Sequence, residues 1–309
     1  MNVLVGYTGF VGSNLKQMSN FERVFNSKNV NEAYGLNPDL MIYAGVTGTK
    51  FLANYQPNKD EEIIKSAIQN IKKIHAKKTV LISTVDVYSD LNDHCEDYVI
   101  DSKKLHAYGK HRYELEQWVI NNVKDYLIIR LPALYGNNIK KNFIYDFIYH
   151  IPPMLKKEVV KNIGSEFPLI YDSYIDVGNG YYQCKNLSDE DRRNVKIILK
   201  SFDIDAINYT DSRAKYQFYN LTYLYQHIIL ALENNIDILN IVTEPISASE
   251  LCGFVDGKVF DNQISDHPIM YNLKTKYDQF FGGKDGYICS KKIILDDLKS
   301  FVLRQRGEY

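Results

Sequence analysis

Gly6, Gly9 and Gly12 stand three residues apart in GYTGFVG, directly after the apolar run NVLV and at the head of FVGSNLKQM. A G-x-x-G-x-x-G spacing between a strand and a helix can cradle a phosphate. One glycine permits the tight turn, one lets the backbone approach a pyrophosphate, and one lets helix and strand pack closely. The amides at the helix start, on Phe10, Val11 and Gly12, then offer free N–H groups with the helix dipole behind them. The ligand expected on such a loop is a dinucleotide. Its ribose would lie at the exit of the second strand, where NAD binders usually carry a carboxylate. Here that exit reads FNSKN, and Asn26, Ser27 and Lys28 supply amide, hydroxyl and ammonium groups. The lysine and hydroxyl suit a 2′-phosphate, so NADP is the preferred cofactor and NAD the alternative.

These residues need a frame that gathers strand exits along one edge. NVLV, RVFN, DLMIYAG, TVLIST and YLIIRLP are short apolar runs. Between them, FVGSNLKQM, KDEEIIKSAIQNIKKIHAKK and YGKHRYELEQWVINNV carry helical spacing. Phe10, Val11, Leu15 and Met18 form the apolar side of the first helix. Ile63, Ile64, Ala67, Ile68, Ile71 and Ile74 form the stripe of the second. Such alternation predicts an α/β chain with a Rossmann-like, doubly wound parallel sheet. Ligands of these sheets sit at the carboxyl ends of the strands, where Gly6, Ala44 and Gly45, Thr84 and Pro132 fall. Beyond about residue 150 the alternation loosens. DEDRRNVKIILKSF and YNLTYLYQHIILALENN read as helices, LNIVTEP as a strand, and SASELCGFV as a helix capped by Ser247 or Ser249. The expected division is residues 1–150, a dinucleotide-binding domain, and residues 151–309, a smaller substrate-binding region partly returning to the main sheet.

The 309 residues include 37 basic and 38 acidic ones, a net charge of −1, so neither a general polyanion binder nor a nucleic-acid partner is indicated. Cys95, Cys184, Cys252 and Cys289 are scattered without a C-x-x-C pair, which argues against a disulfide framework or a zinc site. The seven histidines show no H-x-x-x-H spacing, and no metal is expected. No apolar run approaches the ~18–20 residues of a membrane span. A strand pattern directly after Met1 leaves no room for a signal peptide, so a cytoplasmic location is expected. The 25 tyrosines suit packing with surface hydroxyls, or a polar cleft for sugars or bases.

With GYTGFVG, LISTVDVYSD and AYGKHRYELE in view, the chain resembles the extended short-chain dehydrogenase/reductase superfamily. Its nearest flavour is the NAD(P)-dependent sugar-nucleotide epimerases, dehydratases and reductases. The resemblance runs over residues 1–136 and resumes more weakly at NIVTEPISASEL, residues 240–251. The short path between the first and third strands is most like the dTDP-4-dehydrorhamnose reductase branch. In the superfamily a serine or threonine at the end of the fourth strand works with a tyrosine and a lysine of the following helix. The matching positions are Thr84 and Tyr108, 24 residues apart. The resemblance implies that Tyr108 relays the proton while hydride moves at the nicotinamide, and that the Thr84 hydroxyl holds the substrate oxygen. It also implies that the backbone of Pro132, Ala133 and Leu134 faces the nicotinamide amide. A nucleotide-sugar substrate is implied, as is a homodimer through two long helices including residues 59–74 and 108–122.

The chain departs from the pattern at its third member, because Arg112 stands where the lysine belongs. An i, i+4 relation puts it on the face of Tyr108. There it could donate to ribose hydroxyls and lower the tyrosine pKa by its charge. A guanidinium does not deprotonate, so it cannot relay a proton. STVDVY departs as well: the family's dehydratases carry an Asp–Glu pair where this chain has Val85 and Asp86. Loss of the first carboxylate argues against elimination and leaves keto-sugar reduction, oxidation or epimerisation through a transient ketone. Asp86 is then a substrate contact, a base or a turn cap. Arg213 is the candidate for the substrate's pyrophosphate, which a guanidinium fork matches. The rival reading is a catalytically silent dinucleotide-binding sensor or assembly subunit that kept the fold.

Overall fold

The computed structural model describes residues 1–178 and 180–308, apart from the side chain of Leu52. Five strands precede residue 132: β1 (Asn2–Val5), β2 (Arg23–Phe25), β3 (Leu40–Tyr43), β4 (Lys78–Thr84) and β5 (Tyr126–Leu131). Between them lie α1 (Phe10–Met18), α2 (Lys50–Tyr55), α3 (Pro57–Ile74) and α4 (Ala107–Asn122). With the later strand Ile238–Asn240 they form a six-stranded sheet in the spatial order 238–240, β5, β4, β3, β1, β2. Every neighbouring pair is parallel. The fold is thus Rossmann-like. From β1 the chain steps to β2 on one side and then to β3 on the other. That reversal between β1 and β3 is where sheets of this kind open a ligand crevice.

Both sheet faces are covered, which is why the strands are apolar throughout rather than alternating. Leu4, Ile42, Val80, Leu127 and Ile129 pack with Leu15, Ile228 and Leu239 on one side. Val3, Met41, Leu81 and Ile128 pack with Ile64, Ala67, Ile71, Leu115 and Val119 on the other. Each such side chain contributes about 1.5–3 kcal/mol. The helical stripes are narrower than the sequence suggests: Ile63 and Ile68 are half-buried, and Met18 is 40% exposed. In α1 the inward position is taken by Asn14. Its amide donates to the Phe10 and Asn137 carbonyls (both 2.8 Å) and its oxygen accepts from Asn137 N–H at 3.1 Å. A polar residue is accepted there because every group it buries is paired.

The chain groups into two compact units. The first takes Met1–Ile139, Tyr216–Ile246 and Met270–Ile294; the second takes Lys140–Lys215, Ser247–Ile269 and the segment from Leu295 onward. The boundary expected at residue 150 therefore falls at 139 and the division is discontinuous, because Ile238–Asn240 pairs with β5 and brings later chain back to the sheet. In YNLTYLYQHIILALENN the α-helix spans Leu224–Glu233, preceded by a 3-10 turn at Leu221–Tyr223, while Tyr219 and Asn220 belong to the strand Phe218–Asn220 that pairs with Ala133–Tyr135. The second unit has a three-stranded antiparallel sheet of its own and a core built from Leu155, Val160, Ile163, Ile170, Tyr174, Val195 and Leu199. There Ser247 is the cap of helix Ala248–Asp256, in a full capping box with Glu250. Among the described residues no helix is long and apolar enough to cross a membrane.

Candidate functional site

The glycine turn is shaped by contacts that exclude side chains. Gly6 has φ +94°, and a Cβ there would stand 2.3 Å from the Ala44 carbonyl oxygen at the end of β3. A Cβ on Gly12 would lie 2.1 Å from the Gly6 oxygen. The turn is tied to β2 by Gly6 N–H donating to the Phe25 carbonyl at 2.7 Å. Gly9 is exposed, its only near neighbour for a Cβ being the Gly6 oxygen at 3.4 Å, and it caps α1 with no side chain over the helix start. The first-turn amides of Phe10, Val11 and Gly12 are therefore not claimed by a capping side chain. A backbone cradle closed below by Ala44 and open above fits a dinucleotide pyrophosphate. At the exit of β2, Ser27 and Lys28 are exposed, while the Asn26 oxygen accepts from Lys28 N–H at 2.9 Å and forms the turn. A second ammonium is near, with Lys16 Nζ 4.8 Å from the ring centre of Tyr7.

Thr84 and Tyr108 meet because α4 lies backbone on backbone against the turn that follows β4. A Cβ on Gly109 would stand 2.0 Å from the Asp86 carbonyl oxygen, so only glycine allows this approach. Asn54 of α2 accepts from the Tyr108 amide at 3.0 Å and helps fix the start of α4. The phenol is 9% exposed and faces Gly48, from which a Cβ would be 3.8 Å away. Burial pushes the Tyr108 pKa above its ordinary value. Arg112's charge opposes this, Asp86 adds to it, and a hydrogen bond from Thr84 to the phenolate opposes it again. Thr84 Oγ1 also accepts from Asp86 N–H at 3.2 Å.

The Arg112 charge acts in the direction the sequence leads one to expect, lowering the tyrosine pKa, but burial outweighs it and Tyr108 is held as the neutral phenol. The guanidinium lies 4.0 Å from the centre of the Tyr108 ring and is 5% exposed. One terminal nitrogen bonds Asp60 and the Tyr108 carbonyl (3.3 Å); the other donates to the Thr47 carbonyl at 2.7 Å. Asp60, itself 4% exposed, also takes His111 Nδ1 at 2.8 Å. Arg112 is thus built into the protein beneath Tyr108, with both terminal nitrogens bonded to protein oxygens.

Asp86 has partners that sequence reasoning missed. Its Oδ1 receives Lys50 Nζ at 2.6 Å and the Tyr271 hydroxyl at 3.4 Å, and its Oδ2 lies 3.5 Å from the Thr84 hydroxyl. Ala133 and Leu134 are part of a strand paired with Phe218 and Tyr219, and Ala133 N–H donates to the Gln217 carbonyl at 3.2 Å. One edge of the backbone expected to face a nicotinamide is therefore already bonded to protein. Arg213, in the second unit, forks onto Asp211 (3.0 and 2.8 Å) and donates to the Ser265 carbonyl at 2.6 Å, so its guanidinium serves a local ion pair.

A parallel sheet with a glycine turn at its switch point and a buried tyrosine beside a strand-end threonine defines a Rossmann-like class. Within it, the chain is similar to RMD from Pseudomonas aeruginosa complexed with NADPH, at 12% identity and a TM-score of 0.63 over 100% of this chain and 99% of that one. A dTDP-4-dehydrorhamnose reductase from Bacillus anthracis in complex with NADP matches at 14% identity, TM-score 0.62, over 98% and 97%. A UDP-glucuronic acid 4-epimerase from Bacillus cereus, with NAD and a fluorinated UDP-sugar, matches at 16% identity, TM-score 0.60, over the whole of both chains. No family model matches the sequence, and no curated protein matches it.

Proposed function

We propose that this chain is an NAD(P)-dependent oxidoreductase or epimerase acting on a nucleotide-linked sugar. One observation carries the reading: a buried neutral phenol, Tyr108, with the Thr84 hydroxyl beside it, on the edge of the sheet that holds the glycine cradle. A nicotinamide, when bound, supplies or accepts the hydride. The Thr84 hydroxyl holds the substrate oxygen, and Tyr108 gives its proton to that oxygen as it gains charge; oxidation runs the same transfer in reverse. Arg112, under the ring, steadies the phenolate left behind. Val85 in place of a carboxylate removes the acid an elimination would need. Ser27 and Lys28, with no carboxylate at the β2 exit, favour NADP over NAD.

The test is consumption of NADPH with nucleotide-linked 4-keto-sugars. Tyr108→Phe should lower turnover about 10²–10⁴-fold while dinucleotide affinity is kept. A variant as fast as the parent contradicts the assignment. The second reading, a redox-silent dinucleotide sensor, draws on Arg112, which leaves position 112 without a proton relay. It predicts binding of the dinucleotide and no turnover at all.

A further inference from the structure

Position 112 cannot exchange protons, and its side chain is sealed on Asp60 and the Thr47 carbonyl. The site nonetheless has a lysine. Lys50 opens α2, is 51% exposed, and sets its ammonium 2.6 Å from Asp86, whose carboxylate is 20% exposed. Asp86 in turn reaches the Thr84 hydroxyl with one oxygen and Tyr271 with the other. We propose that Lys50, acting through Asp86, is the solvent-facing cation of the Tyr108 site and adds, from the solvent side, to the electrostatic support that Arg112 gives from beneath the ring. The proposal rests on Tyr108 being the acid of the reaction. Lys50 is a positioning residue, since it bonds neither Tyr108 nor Thr84.

The groups around Tyr108 fix the sign. Arg112 faces it from α4 and favours the phenolate; Asp60 faces it from α3 and Asp86 from the turn after β4, and both disfavour it. Tyr271, near Asp86, is neutral, burial raising its phenol far above its ordinary value. Lys50 is the cation that compensates Asp86. Without it the Asp86 charge acts on Tyr108 with only Arg112 opposing it, and ionisation of the phenol becomes harder. Without Asp86 ionisation becomes easier, and Lys50 loses its route to the phenol.

The experiment places a difluorotyrosine at position 108, whose phenol ionises well below that of tyrosine, and follows its fluorine signal against pH in the full chain. The other tyrosines are silent in this signal. Lys50→Met should raise the midpoint by about half a unit or more, the size expected for one nearby charge. Lys50→Arg should leave it near the parent value, and Asp86→Asn should lower it. On the Asp86→Asn background, Lys50→Met should add nothing, which a merely structural role would not produce. A midpoint unmoved by Lys50→Met, or moved equally with and without Asp86, overturns the proposal. NADPH binding and turnover, measured separately, report on the enzymatic reading, so the two can fail independently.

Discussion

Arg112 spends three hydrogen bonds on Asp60, the Thr47 carbonyl and the Tyr108 carbonyl, and stacks under the Tyr108 ring. A lysine offers one compact ammonium and no plane, so it cannot hold these partners together. Arg112→Lys should therefore lower stability in urea by about 1–3 kcal/mol, the penalty for an unpaired buried group, and should not raise turnover. A gain in turnover would show that the arginine is a damaged lysine. The pH dependence of Tyr108 follows from burial. The folded phenol ionises above the unfolded value of 10.0, so its contribution to stability is whole below pH 10 and is lost as pH rises through the folded pKa. A reduction that draws its proton from Tyr108 should hold its rate through neutral pH and fall only above that value, as a kcat profile would show.

The approach of α4 to the end of β4 is the contact on which the site's geometry depends. Gly109→Ala puts a methyl 2.0 Å from a backbone oxygen. Either helix or turn must move, which should cost about 1–3 kcal/mol and lower kcat through the separation of Tyr108 from Thr84. Thermal unfolding together with single-turnover kinetics would check both effects. Elements of this kind were legible to different degrees. The strand-turn-helix at Gly6 could be read because all its parts are adjacent in sequence. Asp60 left a signal that was passed over: it lies four and seven residues before Ile64 and Ala67, on the buried stripe of α3. Arginine at 112 was its missing partner, since a buried carboxylate needs one. Lys50 and Tyr271 left no signal, being 36 and 185 residues from the Asp86 they bond. The helical reading does not hold at Tyr219 and Asn220, where pairing with Leu134 and Tyr135 outweighs local propensity.

At the scale of the whole chain, stability and ligand binding give separate tests. In the second unit Asp146 has a buried carboxylate oxygen without a hydrogen bond, and burial, with Asp205 adding to it, pushes its pKa up to about 7 from 3.8. The stabilisation from its protonated form is complete below the unfolded value and is lost as pH rises toward 7. Relative to Asp146→Asn, the parent should lose a few kcal/mol across that window, measurable by denaturant unfolding at a series of pH values. The most direct test of the central claim is a thermal-shift comparison with NAD, NADH, NADP and NADPH. A dinucleotide at a hundred times its dissociation constant adds about 2.7 kcal/mol. The account predicts a rise of several degrees in Tm with the phosphorylated pair, larger than with NAD or NADH. No shift with any of the four, in protein freed of carried-over cofactor, would contradict it.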